Sequence, residues 1–184
     1  GHDFGNVTLV GIMAADLSLN TPDYRCSERT FQLLTQAAGR AGRGSLSGNV
    51  VIQTYKPEHY AIVTAAEQNY EEFYRREMLY RKMMNYPPDC YMEAVLFAGN
   101  NEKTVERCSD LALSTVRKMG YEENEIQMIG PVRAPVYKVN DIYRKILYIK
   151  SKNCDILDKI RRNIELLAAG DEGFKSLALQ FDIS

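Results

Sequence analysis

The sequence predicts two successive folding regions: an α/β region built on a parallel sheet, and an α+β region with the ferredoxin-like order βαββαβ. The first region is predicted by two short apolar runs, at residues 7–12 and 49–55, with a helical pattern between them. Apolar strands separated by a helix are typical of a parallel sheet with covered faces. The second region is predicted by two amphipathic helical patterns that alternate with β-type segments from residue 91 onward.

The first region reads as a strand, a helix and a second strand. The helix is expected from Ser27 to about Ala38, with Phe31 and Leu34 on its apolar side, and the glycine-rich stretch at residues 39–48 ends it. Both strands are expected to be buried because their runs are continuously apolar. Two strands are too few for a complete layered domain. We therefore expect residues 1–56 to be only part of an α/β domain.

Residues 57–88 are predicted to form a helical connector with many aromatic residues. Asn69 followed by Glu72 has the form of a capping box, and the pair Pro87-Pro88 ends the second of two helices. The aromatic residues recur at helical spacing: Tyr70, Phe73, Tyr74 and Tyr80. Aromatic side chains at this spacing more often pack in a core or between domains than stack on bases. We expect packing here.

Residues 89–184 carry the βαββαβ pattern. A strand at residues 91–98 precedes a helix from about Glu102 to Met119, for which Asn101 is the expected cap. β-type segments follow, with a turn at Asn140-Asp141: residues 126–129, 131–139 and 143–151. Asn153 is the expected cap of a second helix. The final segment alternates apolar and polar residues over 177–183, which predicts a half-buried strand.

Composition excludes several classes of protein. The chain of 184 residues has 45% hydrophobic and 26% charged residues, which is ordinary for a globular protein, and no apolar run approaches the length that spans a membrane. The N-terminus lacks a secretory signal, and its abrupt start fits an excised piece. The four cysteines lie far apart and only two histidines are present, so we expect no metal site, no disulfides and a reducing cytoplasm.

The motif with the strongest chemical content is QAAGRAGR at residues 36–43. Arg40 and Arg43 each follow a glycine, and their spacing of three can direct both side chains to one side of a helix end. Guanidinium groups are suited to bidentate contact with phosphate oxygens. The alternative is a purely structural helix C-terminus, with a terminal glycine and arginines that complement the dipole. Spacing alone leaves both interpretations open.

The same run resembles motif VI of the superfamily 2 helicases, written Q-x-x-G-R-x-G-R, in which Gln36 is the leading polar residue. Upstream, GHDF and VTLV are similar to motif V of the replication-restart DNA helicases of the primosomal protein N′ (PriA) type, and Gly1 and Asp3 match its core. Gly5 stands where that family has proline. The resemblance continues densely to about residue 90 and beyond it through element order and the Gly130-Pro131 turn.

This resemblance implies that residues 1–56 are part of the second RecA-like lobe of a helicase. Arg40 and Arg43 would reach the γ-phosphate of ATP bound on the first lobe, where arginines accelerate phosphoryl transfer. Gln36, Gly1 and Asp3 would belong to the nucleotide-binding surface. The sequence contains neither a phosphate-binding loop nor a D-E-x-H box. ATP and Mg²⁺ are therefore expected in the full-length protein, zinc in the parent outside this chain, and no ATP hydrolysis by this chain alone.

A second candidate site lies at residues 133–152, where six basic residues stand against one acidic residue, Asp141. The basic residues are Arg133, Lys138, Arg144, Lys145, Lys150 and Lys152, with Tyr137, Tyr143 and Tyr148 among them. Cations for phosphates and aromatic faces for unstacked bases are what a nucleic-acid site requires. The alternative is a solvated strand face with half-buried tyrosines. The resemblance favours DNA, because the family's C-terminal domain is implicated in binding branched DNA.

The function that the resemblance implies is that of an ATP-dependent 3′→5′ DNA helicase, which recognises stalled or branched forks and initiates primosome assembly. The expected partners are forked and single-stranded DNA, the single-stranded DNA-binding protein and other primosome proteins, with no membrane. One alternative is a RecG-type branch-migration helicase, against which the βαββαβ region argues. Another is a non-enzymatic ferredoxin-like module that binds nucleic acid or a small ligand.

Overall fold

The computed structural model describes residues 7–41 and 47–184, and the chain divides into two compact units. Unit 1 is Gly1–Tyr80 and unit 2 is Arg81–Ser184. The sequence predicted three parts, with a separate connector at residues 57–88. In the structure the boundary between the units falls inside that segment, and most of it belongs to unit 1.

Unit 1 contains a two-stranded parallel sheet. Strand β1 (Leu9–Ile12) and strand β2 (Asn49–Ile52) pair in parallel from Leu9 with Asn49 to Ile12 with Ile52. Helix α1 (Cys26–Ala38) lies between them in the chain. The predicted order of strand, helix and strand is therefore confirmed.

The two strands are less buried than the sequence predicted. Leu9 is 62% exposed and Val51 is 58% exposed, and both lie on the same side of the sheet. On the other side, Ile12 and Ile52 pack against the core of unit 1. A parallel sheet buries its strands only when layers cover both faces. Within the described residues, one face of this sheet is covered and the other carries exposed apolar side chains.

The core of unit 1 is built largely between helices. Helix α2 (Tyr60–Ala66) and helix α3 (Tyr70–Met83) follow β2, and Asn69 caps α3 by accepting a hydrogen bond from the Glu72 amide at 3.0 Å. Phe31 and Phe73 stack with 4.2 Å between ring centroids. The buried core residues are Ala15, Phe31, Leu34, Ala61, Ile62, Ala65 and Phe73. The helices predicted as a connector thus supply four of these seven core residues.

The aromatic residues of α3 do not all pack as predicted. Phe73 is buried, but Tyr70 is 63% exposed, Tyr74 is 53% exposed and Tyr80 is 42% exposed. The Tyr70 ring nevertheless lies 6.1 Å from the Phe31 ring of α1 and 6.2 Å from the Tyr74 ring, centroid to centroid, so two of the exposed rings also take part in packing. Helical spacing alone did not identify which ring is buried.

Unit 2 has the predicted βαββαβ order. Its elements are β3 (Tyr91–Gly99), α4 (Glu102–Lys118), β4 (Ile126–Val139), β5 (Ile142–Ser151), α5 (Cys154–Gly170) and β6 (Ala178–Ile183). The strands form one antiparallel sheet in the order β4-β5-β3-β6. Each helix therefore crosses over one intervening strand, as in a split βαβ fold.

Both helices of unit 2 pack on one side of the sheet, called here the helix side. Asn101 and Asn153 cap α4 and α5 through their side-chain oxygens, as predicted. The buried helix residues are Val105, Cys108, Ala112 and Val116 on α4, and Leu157, Ile160 and Ile164 on α5. They meet Val95 and Phe97 of β3 and Leu147 and Ile149 of β5. At the edge of this core, Arg161 donates to the fully buried Glu93 at 2.6 Å and ties α5 to β3.

The opposite side of the sheet, which α4 and α5 do not cover, is called here the open side. Side chains alternate between the two sides of a strand, and directly paired residues share a side. The register therefore assigns to the open side Ala94, Leu96 and Ala98 of β3, and Ile142, Arg144, Ile146, Tyr148 and Lys150 of β5. The backbone turn that joins β4 to β5 has Asn140 and Asp141 at positive φ (48° and 61°), which is the predicted turn.

Strand β4 is continuous where the sequence suggested two segments. Two register shifts interrupt its pairing with β5, one between Ile129 and Val132 and one between Arg133 and Lys138. The first shift contains Gly130 at φ +104°, where a Cβ atom would lie 2.8 Å from the Ile146 carbonyl oxygen. Bulges of this kind are frequent in edge strands, where they bend the strand and redirect its side chains.

The cysteines are free thiols: Cys90 and Cys108 are buried, and Cys26 is partly buried. Cys154, the first residue of α5, is exposed. Residues 7–41 and 47–184 contain no cluster of histidine, cysteine or carboxylate side chains that could hold a metal ion. None of the described helices is both long and apolar enough to cross a membrane.

Candidate functional site

The end of helix α1 presents the described part of the arginine motif. The helix ends at Ala38, and the amides of Gly39 and Arg40 donate to the carbonyl oxygens of Thr35 (2.9 Å) and Ala37 (3.1 Å). Gln36 and Arg40 are both exposed and lie four residues apart, a spacing that brings side chains to the same side of a helix. The other predicted residues of this site, Arg43, Gly1 and Asp3, lie outside the described residues.

The exposed side of α1 continues from Gln36 toward the start of the helix. A surface depression is lined by Arg29, Gln32, Leu33 and Gln36. Leu33 is 57% exposed, and Arg29 forms an ion pair with Asp23 at 2.7 Å. Sequence reasoning did not select Leu33, although its position off the Phe31 and Leu34 stripe indicated an outward direction. The helix thus combines an apolar side chain with polar groups on the side that leads to Arg40.

A buried aspartate joins the segments that follow the two strands of unit 1. The Asp16 carboxylate accepts hydrogen bonds from the Tyr55 amide at 3.0 Å and the Thr54 hydroxyl at 2.9 Å. These bonds, the one from the Tyr55 amide foremost, lower the pKa of the Asp16 carboxyl below its usual value. Ser18, two residues later, is hydrogen-bonded to Thr30 of α1 at 2.6 Å. The carboxyl ends of β1 and β2 and helix α1 are thereby held in one arrangement.

The basic residues of the β4–β5 hairpin do not form one surface. Arg133 pairs with Lys145 and Lys138 pairs with Tyr143, so these cations lie on the helix side of the sheet. Arg144 and Lys150 lie on the open side, opposite Ala98 and Met92 of β3. The alternation of a strand separates residues that are neighbours in sequence.

Lys150 is the clearest departure from the predicted nucleic-acid site. Its side chain is only 3% exposed, its Nζ donates to the Met84 carbonyl oxygen at 3.0 Å, and it lies 3.6 Å from the centre of the Tyr86 ring. Burial lowers the pKa of the Lys150 ammonium group. This lysine holds the chain segment before β3 against the sheet and is not available to a ligand.

Lys145 and Lys152 are also placed differently from the prediction. The Lys145 side chain is 14% exposed and its Nζ lies 4.0 Å from the Asp110 carboxylate on α4. Lys152 is 70% exposed but lies beyond the end of β5, 3.5 Å from Asp89. Lys145 is therefore largely covered, and Lys152 is at the other end of the strand from the hairpin turn.

Two of the remaining cations stack on tyrosines. Arg133 lies 4.4 Å above the centre of the Tyr137 ring, and Lys138 lies 4.8 Å above the Tyr143 ring. The two rings meet edge to face at 5.8 Å. The Tyr137 hydroxyl donates to Glu102 at the start of α4, and this bond raises the pKa of the Tyr137 phenol. Lys138 also forms an ion pair of 2.8 Å with Asp141, which raises the pKa of the lysine.

Arg144 is the third cation near the hairpin turn. It is half-buried on the open side and has no ion pair or hydrogen bond to the residues that the structure describes. Of the six basic residues at 133–152, three therefore remain near the hairpin turn and can meet a ligand: Arg133, Lys138 and Arg144. Guanidinium and ammonium groups in this arrangement can bind phosphate oxygens.

The family of the chain follows from comparison with known proteins. The family model described as "Primosomal protein N C-terminal domain" matches residues 82–183, which is more than half of the chain and almost all of unit 2. The chain is 39% identical over 165 residues to the replication restart protein PriA of Bacillus subtilis, covering 89% of this chain and 20% of that protein.

Two further relatives carry the same name. The replication restart protein PriA of Synechocystis is 39% identical over 82% of this chain, and that of Borreliella burgdorferi is 34% identical over 87% of it. The chain covers 18% and 24% of these two proteins, so it spans about a fifth of the length of the curated relatives that it matches. By the match of its second unit and the similarity along most of its length, the chain belongs to the primosomal protein N C-terminal domain family.

Proposed function

We propose that this chain is the distal part of an ATP-dependent 3′→5′ DNA helicase that recognises stalled or branched forks and initiates primosome assembly. The names of its relatives support a role in replication restart. Unit 1 would then be part of the second RecA-like lobe, and unit 2 would contribute to fork binding. The single-stranded DNA-binding protein and other primosome proteins are the proposed partners of the whole protein.

The observation that carries the helicase proposal is the geometry at the end of α1. Gln36, in the last turn of α1, is exposed and lines the depression that contains Leu33, and Arg40 is exposed two residues beyond the end of the helix. An arginine in this position can neutralise charge that develops on a phosphate held by another lobe. Arg40 and Arg43 are the proposed arginines for the γ-phosphate. Gln36, Gly1 and Asp3 are proposed to belong to the same nucleotide-binding surface.

The nucleotide and its metal ion would bind mainly outside this chain. ATP and Mg²⁺ would need a phosphate-binding loop and a D-E-x-H box, which the sequence does not contain, and the zinc of the parent would also lie elsewhere. We therefore expect no ATP hydrolysis by this chain alone.

The experiment for the nucleotide site uses a protein that also carries the ATP-binding lobe. Arg40→Ala should lower kcat for DNA-stimulated ATP hydrolysis by about 10³- to 10⁵-fold, as for other arginines that act on a transferring phosphate. DNA binding should be unchanged. Arg117→Ala, an exposed arginine at the end of α4, is the matched control. An unchanged kcat in the Arg40→Ala protein would leave Arg40 as a structural helix terminus.

The experiment for fork binding uses the chain itself. A labelled forked DNA should bind with strong salt dependence, and the triple variant Arg133→Ala, Lys138→Ala, Arg144→Ala should lose that binding. The matched control removes three exposed cations elsewhere in unit 2: Arg117, Lys118 and Lys159. If the chain ignores forked DNA, or if both variants lose binding equally, the hairpin is not a specific fork site.

A further inference from the structure

The cations of the β4–β5 hairpin lie on both of its faces. Arg133 and Lys138 are on the helix side by their pairing with Lys145 and Tyr143, and Arg144 is on the open side. A single strand that crosses one face of the sheet would meet either the two helix-side cations or Arg144, but not all three. Two phosphate backbones that run along opposite faces of the hairpin would meet the cations on both faces.

Tyr137 and Tyr143, the tyrosines on either side of the hairpin turn, each already have a cation stacked on the ring. Tyr137 carries Arg133 on its ring at 4.4 Å and is bonded to Glu102 through its hydroxyl. Tyr143 carries Lys138 at 4.8 Å and packs against the core of unit 2. A ring face that holds a cation is not free to stack on an unpaired base. These rings instead hold the cations in place, which reduces the conformational entropy that a cation loses when it binds phosphate.

The shape of the hairpin fits the groove of a duplex. Strand β5 pairs with β3 only as far as Tyr143, so the Val139–Ile142 pair and the tight turn between them extend past the last residue of β3 as the end of a two-stranded ribbon. The register shift between Arg133 and Lys138 lies in the edge strand β4, directly before this ribbon. The major groove of B-form DNA is wide enough to admit a two-stranded β-ribbon.

We infer that the β4–β5 hairpin binds the phosphate backbones on the two sides of a duplex groove and does not hold an unpaired strand by base stacking. The ligand class is a double-stranded nucleic acid, and the contacts are to phosphates and are independent of base sequence. This inference rests on the proposed function of unit 2 in nucleic-acid binding and adds which part of a fork the hairpin contacts.

Acidic residues near the hairpin do not cancel its cations. Asp141 pairs with Lys138, but its side chain is 87% exposed, and ion pairs at such sites are worth little and yield readily to phosphate. Glu102 accepts a hydrogen bond from Tyr137, which holds its carboxylate against the tyrosine. Arg133 and Arg144 have no carboxylate partner within residues 7–41 and 47–184.

The test compares a blunt duplex with its separated single strand and with an abasic single strand of the same length. With three phosphate contacts, duplex affinity should fall about 40-fold between about 50 and 200 mM salt, because the logarithmic slope is about −0.9 per contact. The duplex should bind more tightly than either single strand. The abasic strand should bind as well as the strand with bases.

Two variants separate the faces of the hairpin. Arg144→Ala removes the open-side cation, and two remaining contacts should reduce the salt effect on duplex binding to about 12-fold. The double variant Arg133→Ala, Lys138→Ala removes the helix-side cations and should reduce the salt effect on duplex binding further. Tyr148→Leu changes the open-side tyrosine of β5 and should leave all three affinities unchanged.

The outcomes distinguish this inference from the function on which it rests. Tighter binding of the single strand than of the duplex, weaker binding of the abasic strand, or a loss with Tyr148→Leu would overturn the groove model and favour base stacking. A salt slope that changes with only one of the two face variants would also overturn it. If none of these nucleic acids binds, the proposed fork-binding function itself is contradicted.

Discussion

At the residue scale, the environment of each charged side chain decides its role more than its place in a sequence pattern does. Lys150 lies in the densest part of the basic pattern, yet it is buried and bonded to the Met84 carbonyl oxygen. Asp16 belongs to neither predicted site, yet its carboxylate joins the segments after both strands of unit 1. Residues of the same type at similar spacing therefore divide into structural and ligand-binding groups only in the folded chain.

Replacement of Lys150 tests its structural role. Lys150→Met removes a buried cation while it keeps much of the side-chain volume, so we expect fork affinity and its salt slope to stay unchanged. Lys150→Ala leaves a space and an unsatisfied Met84 carbonyl oxygen, so the free energy of unfolding should fall by about 1–3 kcal/mol. Urea unfolding and fork titration of both variants are the measurements. A reduced salt slope in the Lys150→Met protein would show that Lys150 contacts DNA.

The lowered pKa of Asp16 predicts that unit 1 loses stability at acid pH. Because the folded-state pKa of Asp16 lies below its unfolded value of about 3.8, its contribution is complete above that value and is lost as pH falls through the folded pKa. The melting temperature of the chain should therefore fall as pH decreases below about 4. Asp16→Asn should be less stable at neutral pH and should lose less stability over the acidic range. Equal acid sensitivity of both proteins would contradict this role.

At the scale of secondary structure, the bulged edge strand β4 determines what the hairpin can present. Its two register shifts fall between Ile129 and Val132 and between Arg133 and Lys138. They let β4 stay paired with β5 although β4 has four more residues than β5 over this span. Gly130 makes the first shift possible because its φ of +104° is a conformation that other residues rarely adopt. The β4–β5 pairing, and with it the position of the cations, depends on this glycine.

A pair of glycine substitutions tests this dependence. Gly130→Ala would place a Cβ atom 2.8 Å from the Ile146 carbonyl oxygen, so the backbone must shift, and the free energy of unfolding should fall by about 2–4 kcal/mol. Gly120→Ala is the control, because it also has positive φ (+75°) but no atom within 4 Å of the new Cβ. It should cost about 1 kcal/mol. Similar losses in urea unfolding would mean that the close contact at Gly130 relaxes freely.

At the scale of the whole molecule, the two units differ in how completely they bury their apolar residues. Unit 2 has helices packed on a four-stranded sheet, with Phe97, Leu147 and Ile149 fully buried. Unit 1 has two strands whose outer face exposes Leu9 and Val51. Local stability follows the number of buried apolar contacts around a segment. The units should therefore open at different free energies.

Hydrogen exchange measures this difference directly. Amides of β3 and β5, the two central strands of unit 2, should exchange most slowly in the chain. Amides of β1 and β2 should exchange much faster, because this sheet is covered on one face only. Exchange of β1 and β2 should slow in a longer protein that supplies further strands. Equal protection of the two sheets in the isolated chain would show that unit 1 is complete without such strands.

The sequence by itself determined the order of elements and most of their boundaries. Capping residues such as Asn69, Asn101 and Asn153 and the apolar stripes of α4 and α5 are local signals, and local signals survive in any fold that keeps the helix. The QAAGRAGR motif and its neighbours also indicated the family, which the comparisons bear out.

Tertiary structure decided which of the candidate residues share a surface. The register and the bulges decide which side of the sheet each side chain of β4 and β5 faces. Register and bulges arise from pairing between distant residues, so they cannot be read from spacing along one strand. The burial of Lys150 depends on the segment around Met84, sixty-six residues earlier in the chain. Exposure of Leu9 and Val51 depends on which layers cover the sheet. Local patterns specify helices and strands, whereas contacts between distant segments specify which side chains meet a ligand.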